Sequence, residues 1–138
     1  MARWGRIVGA VLSITGGAAH LWLYRHGYRD VPNATLGRSF LGHAAASGAV
    51  AVALVTFADP LWRRLACLAG VGLAISGLIA IAISRTSSGL FGFSEHGLQP
   101  APEGLIVVGA EIGMIVVLGM AFVLDWQMQR RQPLGRIG

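Results

Sequence analysis

The chain reads as an all-α polytopic membrane protein: a single domain over residues 1–138, folded as a four-transmembrane-helix bundle with both termini cytoplasmic. Composition predicts this first. Hydrophobic residues make up 54% and charged residues only 12%, against about 25% charged in an ordinary soluble domain, and the mean hydropathy is +0.64. That apolar content excludes intrinsic disorder, and a single cysteine, Cys67, excludes a disulfide scaffold. The second observation is spacing. Four apolar runs, about 7–24, 39–57, 65–84 and 105–124, contain no arginine, and only the last contains an acid. A helix needs about 20 apolar residues to cross the hydrocarbon layer, whereas a barrel strand would show about ten residues of alternating polarity.

The first run follows Arg3 and Arg6 and ends at Tyr24. Its basic start and the small residues Gly17, Ala18 and Ala19 also permit a cleaved signal peptide. Apolar character continuing through Leu21, Trp22 and Leu23 favours a full span. Asp30, Val31, Pro32 and Asn33 break the chain before the second run, and Asp59-Pro60 breaks it before the third. The connector from Arg85 to Gly104 is the longest, and its glycines and prolines argue against helix there. The tail after Asp125 is polar and is expected to fray. Asn33-Ala34-Thr35 matches a glycosylation acceptor, a match read as accidental.

Charge gives the orientation. The eleven basic residues are all arginine, and six acids leave a net charge of +5. Their scatter between apolar runs suggests lipid headgroups rather than nucleic acid as the anionic partner. With the N-terminus inside, Arg3, Arg6, Arg63, Arg64, Arg130, Arg131 and Arg136 face the cytoplasm, against Arg25, Arg29, Arg38 and Arg85 outside. This is the expected bias for a multi-pass protein of a bacterial inner (plasma) membrane. Trp4, Trp22, Trp62 and Trp126, with Tyr24 and Tyr28, fall near the predicted interfaces.

Small residues predict close helix packing, since lipid offers no hydrophobic drive between helices. The expected contact faces are Gly9, Gly16 and Gly17; Ala45, Ala49 and Ala53; Gly72, Ser76 and Ala80; and Gly109 with Gly113. Packing within the chain is the plainer reading, and a homo-oligomer face the other. Cys67 is expected to be a buried packing residue.

Three ionisable residues fall inside spans: His20, His43 and Glu111. Such groups are costly in hydrocarbon. Counted at about 1.5 Å per residue, all three lie on one level, toward the end that carries the first and third connectors. Two histidines and a carboxylate suit zinc or non-haem iron, two histidines can ligate haem, and the carboxylate can relay protons. Interhelical hydrogen bonding is the plainer alternative. No HExxH, CxxC or phosphate loop is present, so the sequence specifies neither a cofactor nor a catalytic residue. In the third connector, Leu90, Phe91, Phe93, Glu95 and His96 form either a lid over a cavity or an interfacial anchor.

His20-Leu21-Trp22-Leu23-Tyr24, Gly27 to Pro32, Ser88 to Glu95 and Ala110-Glu111 together resemble a family of small four-helix integral membrane proteins common in actinobacteria. That family has no established activity. The resemblance implies the topology and marks His20, the Gly27-Tyr28 turn, the loop around Phe91 and Glu111 as family features. The second helix departs from the pattern, in which a polar amide is expected near position 43. Three functions stay open: an accessory or structural subunit binding a larger membrane partner or lipid, a proton-coupled transporter component using Glu111, and a metal- or haem-binding redox protein using His20 and His43.

Overall fold

The computed structural model describes residues 2–97 and 101–130. Four helices run α1 (Ala2–Leu23), α2 (Ala34–Thr56), α3 (Pro60–Ser84) and α4 (Glu103–Arg130), each long and apolar enough to span a membrane. The shortest, at 22 residues, extends about 33 Å at the helical rise. No strand occurs among the described residues, only an isolated bridge between Leu90 and Phe93.

The helix starts are set by side chains. Asn33 Oδ1 accepts from Thr35 N at 3.0 Å, so this asparagine caps α2. α2 therefore begins before the apolar run that reveals it, and its first turn buries Leu36 and Gly37. Asp59 caps α3 through Leu61 N and Trp62 N, with Pro60 in the first turn, where its missing N–H costs nothing. α1 continues into a π-helical turn, Tyr24–Tyr28, before the chain bends. α4 runs on to Arg130, five residues past Asp125, so the start of the expected fraying tail is helical. Its remainder, with Arg131 and Arg136, and Pro100 of the third connector lie outside the described residues.

The helices pack up-down-up-down in a square, α1 against α2 and α4, α3 against α4, with α2 and α3 touching least among neighbours. α2 and α4 both pack on α1. Small residues let the helices close, but several are not those expected. Ala45, Ala49, Gly72, Ser76 and Gly109 face outward. The buried face of α3 is Ala66, Gly70, Ala74 and Gly77, and that of α2 is Ser47, Val50, Ala51 and Leu54. The shift arises because the neighbours fit large side chains into glycine gaps. Fully buried Leu118 of α4 sits where a Cβ on Gly9 or Gly70 would stand.

Polar contacts fix the register. Ser13 Oγ donates to Ser47 O at 2.9 Å inside the bundle. Ser13→Ala is expected to cost about 0.6 kcal/mol, the mean for interhelical bonds in bilayers, read as a small shift in reversible unfolding in mixed micelles. At the end where α1 begins, Arg6 donates to Leu54 O and Phe57 O at 3.3 and 3.4 Å, capping α2. Arg63 meets Asp125 at 3.7 Å, Arg64 bonds Gln129, and the guanidinium groups of Arg64 and Arg130 lie over the Trp126 ring. Trp4, Trp22, Trp62 and Trp126 are exposed, as membrane-interface residues are. Tyr28 is not: it is buried, stacked on Phe40 with ring centroids 4.3 Å apart.

Candidate functional site

α1, α2 and α4 bring His20, His43 and Glu111 together. The two imidazoles stack with centroids 4.0 Å apart and planes within 12°. His43 Nε2 lies 3.5 Å from Glu111 Oε1. Each of the three residues offers one donor atom, and these atoms lie within 4.8 Å of one another. His20 Nδ1 is 2.9 Å from Gly16 O. A carbonyl only accepts, so Nδ1 bears the proton and the neutral ring keeps its lone pair on Nε2.

Glu111 is 2% exposed, and neither carboxylate oxygen has a hydrogen-bond partner among the described residues. Its seat is Gly77 of α3, where a Cβ would overlap the carboxyl and stand 2.8 Å from Oε2. Only glycine leaves that room. An isolated carboxylate in an apolar interior costs far more than a helix bundle can offset. A proton or a cation must neutralise it, and the middle of each span contains no arginine or lysine.

Above the stacked histidines lies a cavity of about 250 Å³. Leu23, Leu36, Phe40, Ile81, Val107 and Val108 give it apolar walls; Ser39, Ser76 and Ser84 add hydroxyls; His20, His43 and Gly77 form its floor. Ser39 of α2 and Ser76 of α3 line the cavity and are exposed, and these two helices touch least among neighbours. Below the floor the bundle is filled by Ala10, Val50, Ala51, Leu54, Ala74, Met114 and Leu118.

The third connector covers the cavity. Leu90 N donates to Phe93 O at 2.9 Å and Phe93 N to Leu90 O at 3.0 Å. Between them Phe91 and Gly92 have φ of 54° and 78°, the two positive values of a type I′ turn. Leu90 and Phe93 pack against the buried Leu23, Tyr28 and Leu36 cluster, whereas Phe91 is 50% exposed. Asn33 Nδ2 donates to Phe91 O at 2.7 Å, tying the turn to the first connector. Arg85 donates to Glu95 at 2.6 Å and to Gly97 O at 2.7 Å, clasping the loop to the end of α3. Burial pushes the Glu95 carboxyl above its ordinary range, against the pull of the Arg85 charge. Leu90, Phe91, Phe93 and Glu95 all line the cavity. His96, grouped with them by sequence, is exposed and does not.

Sequence reasoning missed Gly77, Tyr28, Phe40 and Arg85 as parts of this site. Gly70, Ala74 and Gly77 follow the i, i+4, i+7 spacing of one helical face, a signal hidden by the competing ladder at Gly72, Ser76 and Ala80. Haem does not fit: axial imidazoles oppose each other across a macrocycle, whereas these are stacked face to face below a small cavity. Comparison of the chain with family models, curated proteins and solved structures finds no match. The class defined by fold and site is thus a multi-pass membrane bundle with a polar trio under a covered cavity.

Proposed function

We propose that this protein is a small accessory binding subunit that holds a mainly apolar molecule with one hydrogen-bonding end, taken from the bilayer between α2 and α3. The observation behind this reading is the cavity: apolar walls, a polar floor at one end only, and an ordered turn above it. Such a site suits a ligand whose body matches lipid and whose polar end meets His43. Proton-coupled transport has less support. Glu111 supplies a protonatable group, but the packed core below it leaves no path toward the other end of the bundle.

The reading extends to orientation. The arginine bias and the cluster of Arg3, Arg6, Arg63, Arg64 and Arg130 with exposed tryptophans support a cytoplasmic placement of that end. The cavity then faces the outer side of a bacterial plasma membrane, in keeping with the actinobacterial resemblance.

Ala80 lines the cavity from α3, and Ala80→Trp fills it. Mass spectrometry of organic extracts should find one low-mass apolar compound in near-molar ratio to the wild-type protein and none with Ala80→Trp. Identical extracts from both folded proteins would contradict the proposal.

A further inference from the structure

We propose that His20, His43 and Glu111 take up one divalent transition-metal ion of the zinc class, with the remaining coordination position facing the cavity. This goes beyond the binding of an apolar ligand and does not depend on it. The donor set is two imidazole nitrogens and one carboxylate, borderline in softness, which favours zinc-like ions over magnesium or calcium. Three protein ligands with an open fourth place is the pattern of reactive rather than purely structural zinc sites.

Two features point to a cation here. The Glu111 carboxylate is almost wholly buried, points at His43 and lacks any hydrogen bond among the described residues. His20 is already oriented as metal-bound histidines are, its Nδ1–H donated to the Gly16 carbonyl so that Nε2 is left to coordinate.

The geometry also sets what must move. Metal–donor bonds of about 2.0–2.1 Å place tetrahedral donors about 3.3 Å apart, and here they lie within 4.8 Å. Imidazole lone pairs lie in the ring plane, and two planes only 12° apart do not meet at one ion. One ring must turn. Both rings border the cavity, but His20 is held by Gly16, whereas His43 has no such backbone hydrogen bond among the described residues. Metal uptake therefore breaks the histidine stack by rotation of His43.

The test is titration of chelator-stripped protein in detergent with Co²⁺, followed by displacement with Zn²⁺. One Co²⁺ per chain is expected, with visible d–d bands of a low-coordinate site that Zn²⁺ abolishes. Glu111→Gln and His43→Gln, chosen to keep size, should each weaken binding by more than the about 10–100-fold that a second-shell partner is worth. The double variant His26→Ala/His96→Ala removes exposed histidines and should bind as wild type. Imidazole ring signals of His43 should shift on Zn²⁺ addition, and those of His26 should not. The proposal is overturned if folded wild type binds no Co²⁺, or if binding survives both Gln variants. Loss of binding in the His26/His96 double variant would equally overturn it, by showing an adventitious surface site.

Discussion

Gly77→Val is expected to unseat Glu111 and remove the polar site without altering any of its three ionisable residues. The added side chain would occupy the place of the carboxyl, so either α3 moves away from α4 or Glu111 leaves its pocket. Overpacking alone costs about 1–3 kcal/mol, and here the displaced group is a buried carboxyl. The same substitution at Gly72 provides the control. That glycine is on the same helix, half-exposed, with nothing within 4 Å of the place a Cβ would take, and Gly72→Val should stay within about 0.5 kcal/mol of wild type. Unfolding in mixed micelles, monitored by helical circular dichroism, reads both. Equal stability of the two variants would contradict the seating of Glu111 against α3.

Leu118→Ala should be the most destabilising truncation in the apolar half of the bundle. Leu118 is 0% exposed and fills the gaps made by Gly9 on α1 and Gly70 on α3. Truncating a buried leucine costs about 2–5 kcal/mol, depending on how far the surroundings collapse. Coupling sharpens the prediction. Gly9→Ala alone puts a methyl against Leu118, with Cγ only 2.9 Å away. With Leu118 already truncated, that methyl has space. A double-mutant cycle should give a favourable interaction of about 0.5–3 kcal/mol; strict additivity would mean that the two residues do not meet.

Fold and site differed in how much of each was legible from sequence. The four spans stood out because bilayer thickness imposes a minimum length and excludes charge, and both leave marks in a one-dimensional string. The level of His20, His43 and Glu111 followed from residue rise alone. Their convergence did not, because rise fixes depth and says nothing about which way a side chain faces. Facing is set by which small residues the neighbouring helices find. In α3 two small-residue ladders run side by side, Gly72-Ser76-Ala80 and Gly70-Ala74-Gly77, and composition cannot rank them. Contact with Leu118 and Glu111 selects the second. Tyr28 shows the same limit. An aromatic residue near a span end reads as an interface anchor, yet the π-helical turn carries it inward onto Phe40. Asn33 was visible as a chain-breaking residue and a glycosylation match, when its work is to cap α2 and hold the Phe91 carbonyl.

The most direct test of the site is a distance between the Glu111 carboxyl carbon and the His43 ring nitrogen in protein reconstituted into lipid bilayers. Solid-state dipolar dephasing with ¹³C-labelled glutamate and ¹⁵N-labelled histidine reads it. The structure predicts a measurable coupling, as befits Nε2 and Oε1 at 3.5 Å, that weakens in His43→Gln to the remainder contributed by His20, whose donor atom lies within 4.8 Å. The absence of any glutamate–histidine coupling in the folded, bilayer-embedded protein would contradict a site shared by three helices.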